Sequence, residues 1–336
     1  MKAWQLEGFS LNQLVLNDIP EPVPGEGEVL VRVSAVSLNY RDKLVMDGLY
    51  NPDLVFPITQ VADAVGEVIA LGSNVSRFTV GDRVATNYCT RWIDGRPQEA
   101  ESHHSLGNTI PGALAELLVL AETSLVSVPS YLTDEEAAAI PCAALTAWYS
   151  LVDQGQLKAG DTVLLQGTGG VSLYGLQIAT ALGAKAIVTS SSDEKLARAA
   201  TMGASYLINY SRNPEWHEEV LSLTANQGVD HIIEVVGGTS LAKSLKALRA
   251  GGQISIIGIL DGFSSEVPLF TAIQKQAVLR GISVGPRRVL EDMLREFARL
   301  EIHPIIDSVY EFAEAHRAYV RLNEGAFGKI VIHVKS

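Results

Sequence analysis

Apolar positions change their period along the chain. Up to about residue 125 they alternate in short segments such as EVLVRVSAVSL and GEVIALG, broken by Pro20, Pro22, Pro24, Gly66, Gly72 and Gly81. That pattern predicts half-buried strands joined by turns, in a largely antiparallel, barrel-like domain. From TDEEAAAIP onward, continuous apolar runs alternate with helix-period stretches: VLLQGTGGVSLYGLQIATALGA, LGAKAIVTSSSDEKLARAATMGA and GVDHIIEVVGGTSLAKSLKALRAGGQISIIG, closing on VLRGISVG. Such alternation predicts an α/β region with a parallel, doubly wound sheet. An amphipathic helix, RRVLEDMLREFARL, and a last strand, GKIVIHV, follow. Alone they cannot bury their apolar faces, so they are expected to return to the first domain. The expected division is 1–125, 126–285 and 286–336. Thr90 to Pro111 is polar and aperiodic, which predicts a long surface loop of the kind that borders binding sites.

The glycines in the middle of the chain bring in chemistry. An apolar run stops at Gly167, Gly169 and Gly170, and helix-period apolar positions resume at Val171, Leu173, Leu176, Ile178 and Ala179. Glycines at a strand-to-helix turn let backbone N–H groups approach a diphosphate at the positive end of the helix. The predicted ligand is a dinucleotide held at Gly167, Thr168, Gly169, Gly170 and Val171; the alternative is a glycine-rich turn with no ligand. Ser172 stands where a third glycine usually allows close strand-to-helix packing. The next strand ends in TSSSDEK, with Ser190 where NAD-selecting enzymes carry Asp or Glu. Without that acid a 2′-phosphate meets no charge repulsion, so NADPH is expected; Asp193 and Glu194 keep NADH possible. Ser192 and Asp193 also suit a helix N-cap, with Lys195 as a solvated first-turn residue. Val236, Gly258, Ile259 and Val284 are further expected cofactor contacts.

Composition narrows the classes. A formal charge of -12 without a basic stripe argues against nonspecific binding to nucleic acid or anionic membrane. The start, MKAWQLEGF, has no apolar signal core, and the longest apolar stretch, Ala137 to Val152, carries Pro141 and is short for a membrane span. Cys89 and Cys142 cannot form a disulfide framework and suit a reducing compartment, so a cytoplasmic protein is expected.

The order of motifs resembles the medium-chain dehydrogenase/reductase superfamily over nearly the whole chain: PGEGEVLVRV, LGSNVSRFTVGDRV, GALAELLVL, AAAIPCAALTAWYSL, GDTVLLQGTGGVSLYGLQIA and GKIVI. The resemblance implies a barrel-like (GroES-like) catalytic domain split around a Rossmann domain, with the active site in the cleft. Zinc-dependent members bind a catalytic metal through a Cys, a His and a second Cys. Here those positions hold Asn39, Ala62 (followed by Asp63) and Cys142, and one thiolate cannot replace about three protein ligands. Cys89, His103 and His104 lack ligand-pair spacing, so no metal is expected there either. Asn39 in LNYRD and the GLY of Gly48 to Tyr50 resemble the zinc-free quinone oxidoreductase branch. That implies NADPH-dependent reduction of quinones or of alkenes conjugated to carbonyls. Lys195, Tyr210 and Arg321 match positions that hold the 2′-phosphate in those enzymes, Ser191 adds a hydroxyl, and Thr146 matches a position facing the nicotinamide or, alternatively, packs inside a helix.

The chemistry agrees with that branch. Hydride addition to an isolated carbonyl develops an alkoxide, which needs a Lewis acid or a positioned proton donor. Quinones and enones delocalise the incoming charge and need less help. Asn39 is expected to offer its amide to the cofactor ribose or the substrate oxygen, or else to satisfy a turn. Arg41 and Asp42 are candidates for catalysis or a structural ion pair, and Tyr50 for lining the site or packing at a loop end. Two rival readings are a zinc-free alcohol or aldehyde oxidoreductase and a non-catalytic cofactor-binding protein. The strand VLRGISVG is expected at a sheet edge, which predicts a homodimer.

Overall fold

The computed structural model describes residues 1–334. The first eight strands are β1 (Lys2–Leu6), β2 (Leu14–Asp18), β3 (Glu28–Leu38), β4 (Ile58–Thr59), β5 (Asp63–Leu71), β6 (Arg83–Thr86), β7 (Leu117–Ala121) and β8 (Leu125–Ser127). Then come β9 (Thr162–Gln166), β10 (Lys185–Ser190), β11 (Tyr206–Asn209), β12 (Val229–Glu234), β13 (Leu248–Ile256) and β14 (Val278–Gly281), and finally β15 (Ile306–Glu311) and β16 (Lys329–His333). Two compact units result, one of residues 1–145 with 284–336, the other of 146–283. The helix Arg287–Leu300 and β16 thus join the first unit, with β15 and a helix, Ala315–Glu324, that the sequence reading did not separate between them.

The first unit is built on a sheet of order β15-β16-β3-β5-β6-β8, with β7 also paired to β3, and a small sheet β2-β1-β4. Most pairs are antiparallel, and Val29, Val31 and Val33 alternate inward along β3, so the period-two pattern does what it predicts. The boundary falls later than 125/126. The helix Asp134–Ala138 has the N-cap signal Thr133, and it packs on β3, β5 and β16 of the first unit. Its apolar face was legible, but not which sheet would cover it.

The stretch from Thr90 to Pro111 also departs in part from expectation. It contains a short helix, Glu99–Ser102, and Trp92 and Leu106 are buried. Cys89 bridges to Ser105 and Leu106 to Ile110, which returns backbone groups to partners and ties the segment down. Its ends are ordered against the first unit, while residues 94–100 between them are exposed, as expected of a surface loop.

The second unit holds a six-stranded parallel sheet of order β11-β10-β9-β12-β13-β14. Beginning at β9, this is the 3-2-1-4-5-6 order of the Rossmann fold, reversing between β9 and β12. Its core joins Leu164, Ile187, Ile232 and Ile254 from the sheet to Trp216, Val220, Leu241 and Leu245 from covering helices. Strands buried on both faces explain the unbroken apolar runs. Among the described residues no helix is long and apolar enough to cross a membrane.

Candidate functional site

In the first unit, the turn from β3 into the helix Tyr40–Met46 assembles a buried polar cluster. Asn39 precedes the helix, and the Asp42 carboxylate accepts its N–H at 2.8 Å, closing the first turn. The Asn39 side chain is thereby left for other partners. Its Nδ2 donates to Asp63 Oδ2 at 2.9 Å, and its Oδ1 accepts from Lys329 Nζ at 2.6 Å. Lys329 also donates to the Leu38 carbonyl at 2.9 Å and lies 3.6 Å from Asp63 Oδ2. The Cys142 N–H donates to the same Asp63 oxygen at 3.2 Å. Asp63 and Lys329 are almost wholly enclosed, and burial raises the Asp63 carboxyl to about 6 against the opposing pull of Lys329 and Asn39.

Asp63 enters this cluster after an unusual turn. Val61 holds φ at +71°, a left-handed conformation rare for a β-branched residue, and the Ala113 N–H fixes its carbonyl at 2.8 Å. The cost of that conformation falls on the segment carrying Ala62 and Asp63.

Arg41 and Asp42 form an ion pair at 2.8 Å, both buried. Arg41 Nε donates to Tyr88 Oη at 3.0 Å and its Nη2 to the Leu106 carbonyl at 2.6 Å. Arg41 therefore anchors the Thr90 to Pro111 segment and carries the Tyr88 and Tyr50 rings, whose centroids lie 5.0 and 5.4 Å from Cζ. Of the two roles expected for Arg41 and Asp42, these bonds supply the structural one. Tyr50 is part-exposed, with its hydroxyl 3.1 Å from that of Tyr88.

The residues at the zinc-ligand positions of zinc-dependent relatives are an amide, a methyl group and a thiol. Burial, with the Asp63 carboxylate next, pushes the Cys142 thiol up, against thiolate formation. Cys89 is likewise raised to about 12 by burial, and His104 Nδ1 is spent on Thr90 Oγ1 at 2.6 Å. Among the described residues, Glu215, His217 and Glu218 could bring ligand atoms together, but Lys243 sits 2.9 Å from Glu215 and the group lies at the positive start of a helix.

In the second unit, β9 leads through Gly167 to Gly169 into the helix Gly170–Ala181. Gly167 has φ +73°, which requires glycine, and a Cβ at Gly167 or Gly169 would meet nothing within 4 Å. The first helical bond runs from the Leu173 N–H to the Gly169 carbonyl, so Gly170, Val171 and Ser172 point N–H groups beyond the helix into that open space. The arrangement fits a diphosphate. The serine at the third fingerprint position is accommodated, because Ser172 Oγ donates to the Gln166 carbonyl at 2.6 Å. Close packing occurs instead at Gly175, where a Cβ would stand 2.7 Å from Leu165 Cδ2.

The other expected contacts lie at the carboxyl ends of neighbouring strands. Ser190 ends β10, and its Oγ accepts the Ser192 N–H at 3.2 Å; Ser192 in turn caps the next helix through Lys195 N at 3.3 Å. Ser191 and Tyr210 are exposed beside them, and the Tyr210 N–H bonds the Ser190 carbonyl. Sequence reasoning missed Asn209 and Arg212, which both bond Asp193 and so hold its charge at this corner. Val236 follows β12, where Glu234 Oε1 accepts the Val236 and Gly237 N–H groups at 3.1 and 3.0 Å. Gly258 and Ile259 follow β13; a Cβ at Gly258 would strike the Val235 carbonyl at 1.9 Å, so only glycine fits. Thr146 is buried in the helix Ala143–Trp148.

Two expected contacts fall in the first unit. Val284 is buried there. Arg321, expected at a 2′-phosphate, has its guanidinium bound to both oxygens of Asp307 at 2.8 Å, a paired fork that braces the end of the chain.

Residues 25–130 match the family described as an alcohol dehydrogenase GroES-like domain, and 170–299 the family described as a zinc-binding dehydrogenase. A zinc-type alcohol dehydrogenase-like protein of Schizosaccharomyces pombe is 38% identical over 98% of this chain and 97% of its own. An acryloyl-coenzyme A reductase of Metallosphaera sedula is 30% identical over 99% of both chains, and the human quinone oxidoreductase 28% identical over 94% of this chain and 92% of its own. A solved structure from Sinorhizobium meliloti, provisionally assigned as an alcohol dehydrogenase, superposes with a TM-score of 0.94 at 46% identity, covering 99% of this chain and 98% of that one.

Proposed function

We propose that this chain, which belongs to the medium-chain dehydrogenase/reductase superfamily, is a zinc-independent, NADPH-dependent reductase of quinones or conjugated enones. Its place among alcohol dehydrogenases, quinone oxidoreductases and acryloyl-coenzyme A reductases makes it an oxidoreductase using a nicotinamide cofactor. The observation that carries the finer reading is the donor set at Asn39, Ala62 and Cys142. It does not fit a catalytic zinc: one half-buried thiol, held protonated, beside an amide and a methyl group leaves too few ligands.

Bound NADPH would supply the hydride. The Gly167 to Ser172 turn would hold its diphosphate, and Ser190, Ser191, Lys195 and Tyr210 its 2′-phosphate, where the strand end carries no acid. The chain's own task is then to orient the acceptor, exclude water and donate hydrogen bonds. The Asn39 amide, with one Nδ2 hydrogen beyond that given to Asp63, is the donor offered to the acceptor oxygen. A quinone or enone spreads the developing charge and makes so modest a donor sufficient. An NAD-dependent alcohol dehydrogenase, 33% identical over the full length of both chains with a TM-score of 0.90, favours simple alcohols or aldehydes with NAD as the second reading.

Steady-state cofactor oxidation with a quinone, an enone and a simple aldehyde, each with NADPH and NADH, separates the two. The expected result is a kcat/KM at least about tenfold higher for a quinone or enone with NADPH. Preference for the aldehyde with NADH overturns the reading, and no consumption with any acceptor would support a non-catalytic binding protein.

A further inference from the structure

The lysine of GKIVI has no evident use. It opens β16, whose next residue, Ile330, pairs with Leu38 of β3, and its side chain is 97% enclosed. Burying an ammonium is costly, and a buried ion pair adds little stability over an apolar replacement. Its surroundings give it another role. An ammonium can only donate, so the Asn39 atom it faces at 2.6 Å must be the amide oxygen. A carboxylate can only accept, so the atom that Asp63 faces at 2.9 Å must be the amide nitrogen. Turning the amide over would set NH2 against ammonium and oxygen against carboxylate, losing both bonds at once.

We propose that Lys329, with Asp63 as its counter-charge, is a positioning residue that locks the Asn39 amide in the orientation presenting its free Nδ2 hydrogen to the acceptor oxygen. This rests on the reading of Asn39 as the hydrogen-bond donor. Lys329 itself touches neither substrate nor cofactor, and no proton passes through it. Asp63 completes the lock because its Oδ2 also takes the Cys142 N–H, which fixes the carboxylate, while its Oδ1 has no hydrogen-bond partner among the described residues.

Lys329→Met removes the donor but leaves Asp63 unpaired, so stability falls with it. The double variant Lys329→Met/Asp63→Asn removes both charges with little change of shape, and separates the two effects. The expected result for the double variant is a thermal midpoint close to wild type, NADPH affinity by fluorescence titration within about twofold, and kcat for the quinone or enone lowered about tenfold or more, the scale of one lost transition-state hydrogen bond. Recovery of kcat together with the midpoint means that the pair is structural only, and overturns the proposal.

A second readout does not depend on turnover. The Asn39 side-chain NH2 resonance, assigned by its loss in Asn39→Asp, is expected to exchange slowly with solvent in the wild-type chain and quickly in the double variant. Equal exchange in both overturns the proposal, even if the wild-type chain reduces none of the acceptors and the reading of its substrate fails.

Discussion

Asp63 is the residue at which burial and pairing oppose each other most directly. Desolvation raises its carboxyl from an ordinary 3.8 to about 6, although Lys329 and Asn39 pull it down. The unfolded chain releases this proton near pH 4 and the folded chain only near pH 6, so between them the native state binds more protons. Stability therefore falls as pH rises through that window, and the loss is complete above it. Asp63→Asn has no such proton to lose. From pH 4 to pH 7 the stability difference is expected to shift in favour of the variant, by on the order of 2–3 kcal/mol. Urea unfolding at the two pH values measures it, and a shift toward wild type would contradict the account. Little of this was legible in the sequence. Asn39 and Cys142 stood out against a known ligand pattern, whereas Lys329 was hidden in the apolar strand GKIVI. A lone charge at a buried strand position was the available signal, and what it pairs with depends on strand register.

Among the elements, the strand-turn-helix from β9 to the helix Gly170–Ala181 was the most legible, because its glycines have no substitute where φ is positive. The role of the missing third glycine was not. It moved to Gly175, whose place against Leu165 comes from how the helix lies on the sheet rather than from spacing. Gly175→Val is expected to overpack this contact and destabilise the chain by about 1–3 kcal/mol, read by urea unfolding. A variant as stable as wild type would show that the helix is free to shift. The 90–111 segment was half legible: residues 94–100 are exposed as its polar composition predicts, but Arg41, the Cys89–Ser105 bridge and buried Leu106 order its ends through contacts distant in sequence.

At the scale of the whole molecule, alternating strands and helices announced the two architectures and the return of the helix Arg287–Leu300 and β16 to the first, but not the strand β15 and helix Ala315–Glu324 between them. The division at 145/146 was missed because a helix's capping signal says where it starts and nothing about the sheet it covers. The edge of the parallel sheet was foreseen at VLRGISVG, and β14 lies there with Val278 exposed. Next to it in sequence, the helix Leu269–Lys275 exposes Leu269, Phe270 and Ile273, with Phe263 exposed before it. An open strand edge together with apolar side chains suits a second copy of the chain. We propose a homodimer on this surface. Sedimentation at micromolar protein is expected to give a dimer for wild type and a monomer for Phe270→Glu/Ile273→Glu; a wild-type monomer contradicts it.

Hydride transfer without a metal is tested most directly by removing metal. The protein is dialysed against a strong chelator, its zinc content is measured, and NADPH oxidation with a quinone and an enone is compared before and after. The expected result is unchanged turnover, within about twofold, at a zinc content far below one per chain. Activity that disappears on chelation and returns with one equivalent of zinc would contradict the reading of Asn39, Ala62 and Cys142.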